Sequence, residues 1–187
     1  YRMSIAPAAG TGGGILYRAG VTGNNYPYIF QNTSGSNVGY IRSTDTATSF
    51  ITSSDYRLKE DWQPMSGSID RIKALNPVNF AWKADGSRVD GFLAHEAQEV
   101  VPEAVHGTKD AVTAYGNITD AEGTVVQEDV VEPETLGEGQ VWTKVEDKPD
   151  YQGIDQAKLV PLLTSALQEA IARIETLEAE VTALQGA

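Results

Sequence analysis

Residues 51–62 read ITSSDYRLKEDW, and within them Ser54 stands five positions before Lys59. A hydroxyl and an amine are a nucleophile and a base in waiting. The Ser54 hydroxyl lies close in sequence to the carbonyl of Ser53, so attack on the Ser53–Ser54 peptide bond closes a five-membered ring, with proximity supplied by the chain itself. The product is an ester, which water opens far more readily than an amide. A lysine serves as base only when neutral, and a free lysine, at pKa ~10.4, is protonated at pH 7. Burial and the charge of Arg57 favour the neutral amine, whereas Asp55 and Glu60 favour the ammonium. On a regular helix, residues five apart are separated by about 140° and do not share a face. Either the segment is not a simple helix, or Lys59 reaches the serine of a neighbouring chain. The plainer reading of the same stretch is a helix N-cap, for which Ser53, Ser54 and Asp55 are all suited.

The rest of the chain must position this stretch. Its 187 residues are enough for one sizeable domain or two small ones, and 41% hydrophobic content suits a folded protein. With 14 basic against 26 acidic residues and a formal net charge of −12, a grip on nucleic-acid phosphate or anionic lipid would work against the overall field. Neither nucleic acid nor membrane is expected as a partner. The absence of cysteine excludes disulfides and thiolate metal sites. No apolar run approaches the ~20 residues of a membrane span. The chain begins at Tyr1 without a methionine, which suggests a piece of something longer.

Up to residue 53 the sequence is rich in Gly, Ser, Thr and Asn, with Asp45 its only acidic residue. Short β-prone runs, ILYRA (15–19), YPYIF (26–30), VGYIR (38–42) and SFIT (49–52), alternate with the turn signals GTGGG, TGNN and NTSGSN. So few large apolar residues per strand cannot bury a core, and stacking on further copies of the same chain is the usual remedy. An intertwined oligomer is expected here.

From Ser54 the character changes. GSIDRIKALNPV (67–78) spaces Ile69, Ile72 and Leu75 by three, with Asp70 in the first turn and Pro77 as a stop, which predicts a short amphipathic helix. VNFAWK (78–83) alternates like a strand and ADGSR (84–88) is a hairpin turn. FLAHEAQEVVPEAV (92–105) reads as helix to about Val101, ended by Pro102. Residues 106–150 are acidic and loop-rich, with a hairpin around Asp120 to Gly123. Residues 155–185 carry four uninterrupted heptads: Val160, Leu167, Ile174 and Val181 at a, and Leu163, Ala170, Leu177 and Leu184 at d. In a parallel arrangement Arg173 at g meets Glu178 at e of the next chain, and Ile171 at e widens the stripe towards three or more strands. Pro161 fits the first turn. A helix packed on its own domain would explain the apolar stripe but not the strict 3.5-residue spacing.

TSSDYRLKE, then I-x-x-I-x-x-L-x-P-V-x-F-x-W (69–82), GFLAHEAQEVVPEAV (91–105) and YQGIDQAKLVPLLTSALQEA (151–170) together resemble the intramolecular chaperone, or peptidase S74, domain that closes many phage tailspikes and tail fibres. The resemblance covers residues 52 to about 185. It implies an α+β, intertwined homotrimer: a β-rich fibre tip (1–53), a mixed α/β chaperone domain (54–187) and a C-terminal parallel three-stranded coiled coil. Such domains trimerise, template the folding of the fibre ahead of them, and release themselves by cutting before the serine of an S-D-x-x-x-K motif. By position this makes Ser54 the nucleophile, Lys59 its partner and Ser53–Ser54 the scissile bond, with Asp55 at the acidic position and Arg57 as support. The partners implied are two further copies of the chain and the upstream fibre segment as folding client, with a host surface glycan as a further partner of the mature fibre. The mature part would reside in the virion tail and the chaperone part in the host cytoplasm during assembly. The length of 106–150 suits an arm that protrudes onto the fibre. His95 stands where many relatives carry glutamine and is assigned no catalytic duty.

No cofactor is expected. HEAQE (95–99) lacks the second histidine of a zinc helix, and His106 falls outside that spacing. AGTGGG (9–14) lacks the Lys-Ser/Thr that completes a phosphate loop. Trp62, Phe80, Trp82 and Phe92 are expected in the core of the chaperone domain. Two other functions remain open: a trimeric structural tip that never cleaves, and a receptor-binding fibre end.

Overall fold

The computed structural model describes residues 22–186, so the ILYRA strand and the AGTGGG turn lie outside the described residues. It divides into two units, Tyr1–Gln63 and Pro64–Ala187.

In the first unit the three expected runs form β1 (Asn25–Gln31), β2 (Asn37–Ser43) and β3 (Thr48–Thr52), an antiparallel sheet in that order. The first turn is made by Asn32, whose Oδ1 accepts the backbone N–H groups of Ser34 (3.1 Å) and Ser36 (2.9 Å). Pairing lines up Tyr28, Ile41 and Phe50 in one row and Ile29, Tyr40 and Ile51 in the next. Successive rows face opposite sides, so both faces of a single sheet carry large apolar groups. Among the described residues of this unit no second layer covers the sheet, Ile29, Phe30 and Phe50 are exposed, and no apolar side chain is buried. Gly39 is demanded by close approach: a Cβ there would lie 2.8 Å from the Ile51 carbonyl oxygen.

The second unit starts with α1 (Ser68–Ala74), shorter than the pattern suggested because Leu75 is already extended two residues before Pro77. The hairpin β4 (Val78–Ala81) and β5 (Arg88–Gly91) follows, then α2 (Ala94–Val100), and Pro102 opens a 3-10 turn to Ala104. The strand β6 (Val105–His106) pairs with β10 (Gly153–Ile154). Between them stands a three-stranded sheet: β7 (Val112–Thr119) at the centre, β8 (Val125–Val131) and β9 (Val141–Pro149) at its sides. The hairpin turn at Asp120 to Gly123 is as expected, but β9 stands where the acidic composition predicts loop. Its charged residues, Lys144, Glu146, Asp147 and Lys148, hid a nine-residue strand. At the centre Gly116 lies under the Trp142 indole, whose Nε1 donates to the Val130 carbonyl at 3.1 Å. A 3-10 turn (156–159) then leads into α3 (Val160–Gln185).

The core gathers Val101, Ala104, Leu159 and Leu162, flanked by Ile72, Leu75, Phe92, Val100 and Ile154. Leu162 is 2% exposed, and burial of such a side chain is worth about 1.5–3 kcal/mol. Gly67, before α1, has no side-chain cap; Glu169 of α3 fills that role, accepting the N–H groups of Ser68 (2.9 Å) and Ile69 (3.3 Å), while Ser68 Oγ donates to Ser165 Oγ (2.8 Å). Three of the four aromatics expected in the core depart from expectation, Phe80 being half-buried and outside the core cluster. Trp62 is 82% exposed and Trp82 55% exposed. Trp82 sits past the end of a two-stranded ribbon with its ring T-shaped to that of Phe80, centroids 5.1 Å apart, whereas Phe92 packs on the core.

Candidate functional site

The segment after β3 is not a simple helix. Asp55, extended at φ −64° and ψ 137°, caps a single 3-10 turn, Tyr56–Leu58, by accepting the Arg57 backbone N–H on Oδ1 at 2.9 Å. The turn closes with Leu58 N–H donating to the Asp55 carbonyl (3.1 Å) and Lys59 N–H to that of Tyr56 (3.0 Å). Lys59 is extended again at φ −128° and ψ 142°. Ser54 and Lys59 therefore leave opposite ends of one short turn, and Lys59 Nζ donates to Ser54 Oγ of its own chain at 2.7 Å. Of the two readings of the spacing, the chain adopts the first. The capping reading also holds, for Asp55 alone, and it leaves the Ser54 hydroxyl free for the lysine.

Arg57 folds back on Asp55 through two parallel bonds, Nε to Oδ1 at 2.9 Å and Nη2 to Oδ2 at 2.8 Å. The guanidinium, and then the Arg57 backbone N–H, hold the Asp55 carboxyl below the usual carboxylate range, and Asp55 in turn raises the arginine. Asp55 and Arg57 thus spend their charges on each other. On the other side of Ser54, Ser53 remains attached to β2: its N–H donates to the Val38 carbonyl at 3.0 Å and its hydroxyl to the Asn37 carbonyl at 3.3 Å. All of residues 52–67 are exposed. Tyr56, Leu58 and Trp62 in the same segment are large apolar side chains open to water.

The structure therefore brings Ser53, Ser54, Asp55, Arg57 and Lys59 together. The Asp55–Arg57 clamp and the Ser53 anchors were not foreseen; the first had a signal, an Asx residue two positions before an arginine, and the second had none, because it depends on strand register. The eight heptad residues lie elsewhere, on α3. Seven of them, all but the half-buried Ala170, are exposed, from 50% at Val181 to 79% at Leu184. The helix buries a different line, Leu162 and Ala166, against its own unit. His95 lines a cleft of ≈ 290 Å³ with Lys109, Asp110, Asp150, Tyr151 and Gln152. Among the described residues no His, Cys, Asp and Glu cluster could hold a metal, and no helix is long and apolar enough to cross a membrane.

The comparisons with known proteins fall on this segment and the unit that follows it. Residues 54–106 match the family described as chaperone of endosialidase, peptidase S74, and the match opens on Ser54 itself. Over those residues the chain is similar to this family of chaperones. It is similar to long tail fiber protein Gp37 of Enterobacteria phage K3 and to that of Enterobacteria phage T2, 33% identical in each case over 89 residues. The alignment covers 45% of this chain and 6% of each relative, so the chain spans a small part of the length of the proteins it matches.

Proposed function

We propose that this chain is the C-terminal end of a phage tail fibre or tailspike, whose residues 54–187 trimerise the chain, assist folding of the fibre ahead of Ser54 and release themselves by cutting the Ser53–Ser54 bond. The observation that carries the reading is the 2.7 Å contact between Lys59 Nζ and Ser54 Oγ. With Lys59 neutral, the hydroxyl donates to the amine and gives up its proton as Oγ attacks the Ser53 carbonyl carbon. Collapse of the tetrahedral species breaks the C–N bond, and the proton passes from Lys59 to the departing Ser54 nitrogen. Ser53 is then held as an ester on Ser54 Oγ. Water opens that ester, leaving a carboxylate on Ser53 and restoring the hydroxyl.

The reaction needs a neutral amine as base. A neighbouring chain laid over Tyr56, Leu58 and Trp62 would exclude water and favour the neutral amine, making cleavage wait for assembly. The seam of α3 is the trimerisation device: its own unit is served by Leu162 and Ala166, so Val160, Leu163, Leu167, Ile174, Leu177, Val181 and Leu184 are left open for other copies in a parallel coiled coil, with the half-buried Ala170 completing the d positions. Residues 106–150 hold eleven acidic against three basic residues; this sheet is the arm that reaches onto the fibre. The mature fibre resides in the virion tail and meets a host surface glycan, and the chaperone acts in the host cytoplasm. No nucleic acid, membrane or cofactor takes part.

Hydroxylamine tests the ester route. Added during native assembly, it should convert part of the 1–53 product from a C-terminal carboxylate to a hydroxamate, with Ser54→Ala and Lys59→Ala giving neither product. Cleavage that yields carboxylate alone at saturating hydroxylamine rules the ester out. A tip that trimerises without cleaving is the competing reading, favoured by the cap that Asp55 makes; there all variants behave alike.

A further inference from the structure

We infer that the last rung of the tip sheet positions the scissile bond, so that cleavage follows the pairing of β3 with β2; the inference rests on Ser54 being the nucleophile. Ser53 lies one residue beyond β3, yet its N–H donates to Val38 O at 3.0 Å and its Oγ to Asn37 O at 3.3 Å. These bonds continue the β2–β3 ladder past its final pair, Gly39 with Thr52. One residue later the chain has left the sheet, and Ser54 Oγ meets Lys59 Nζ at 2.7 Å within a turn fixed by the Asp55 cap. The scissile peptide is thus the joint between two held parts: its acyl side belongs to the sheet and its amine side to the turn.

That placement has a kinetic meaning. Attack needs the Ser53 carbonyl carbon in front of Oγ, and the torsions on either side of the joint decide how often it is there. With β3 paired, Ser53 is fixed and only the local turn remains to be set. With β3 unpaired, Ser53 samples many orientations and productive ones are rare. The final strand of the tip therefore reports its own completion to the cleavage site. Ser53 is a positioning residue, and the Asn37 and Val38 carbonyls are what it is positioned by.

A graded series at Ser53 in the full chain tests this, with cleavage rates read by intact mass after native assembly. Ser53→Ala removes the hydroxyl contact from an exposed edge and leaves the fold alone; Ser53→Pro removes the N–H donor as well. Ser53→Thr keeps both. One net hydrogen bond corresponds to roughly fivefold in rate. Alanine should slow cleavage about fivefold, proline by about thirtyfold or more, and threonine should restore the parental rate to within about twofold. The pH dependence of the rate, which belongs to the base, should stay where it is in all of them. Parental rates in the alanine and proline variants, threonine as slow as alanine, or a displaced pH profile would overturn the inference. If the parent itself stays whole, the reading beneath it fails and this one with it.

Discussion

The two units handle apolar surface in opposite ways. Residues 22–63 put large side chains on both faces of one sheet and bury none of them, whereas residues 64–186 close a small core around Val101 and Leu162 and still leave a complete apolar seam along α3. Under the proposed function the first is a surface to be covered by further copies, and the second folds on itself and brings those copies together. The Ser54–Lys59 pair proposed to cut the chain belongs to the exposed unit, at the point where its last strand ends. Interleaving of strands from several chains is slow and prone to misassembly, so a helical device that holds chains together while strands pair shortens the exposed period. The proposed cleavage, by removing that device afterwards, would trap the product kinetically.

The sharpest way to break this contrast is in the two apolar sets. Leu162→Ala should destabilise the second unit by about 2–5 kcal/mol in urea unfolding, while Phe50→Ala should change the unfolding of the monomer by less than about 0.5 kcal/mol and show its cost only in the assembled tip. Equal losses for both in the monomer would mean that the first unit has a core of its own. At Gly116 a Cβ would lie 2.3 Å from the Thr143 carbonyl oxygen, so Gly116→Ala should cost about 1–3 kcal/mol and speed amide exchange in β7 and β9 without touching α1 or α3. Leu177→Asp should abolish association in sedimentation at micromolar concentration while the unfolding transition of the second unit keeps its midpoint to within about 0.5 kcal/mol.

The smallest effect is in acid. The Ser68 backbone N–H holds the Glu169 carboxyl below its ordinary value, with the Ile69 N–H and Arg173 adding to it and desolvation opposing. A carboxyl depressed in the folded state adds stability above its unfolded value and loses it as pH falls through the folded one. The hold of α3 on the start of α1 should therefore weaken below about pH 4.5, in the ordinary glutamate range, and Glu169→Gln should flatten that part of the stability profile. An unchanged slope in the variant would remove Glu169 from the clasp.

What was legible in the sequence was whatever rests on local pattern. Period-two runs gave β1 to β3, heptads gave the face of α3 that its own unit leaves open, and the S-D-x-x-x-K spacing gave the pair that meets. What was not legible depends on long-range partners. Helix geometry said Ser54 and Lys59 could not meet within a regular helix, but not that one capped 3-10 turn would bring them together. The charge density of residues 141–149 masked β9, which is held by pairing with β7. Trp62 and Trp82 read as core residues because they are large, and only the absence of a second layer over their segments leaves them in water.

The most direct test is the intact mass of the natively assembled parent chain after denaturation, beside Ser54→Ala. The account predicts two fragments, residues 1–53 and 54–187, from the parent and a single species of 20.1 kDa from the variant. A parent that has trimerised and still weighs 20.1 kDa would contradict it.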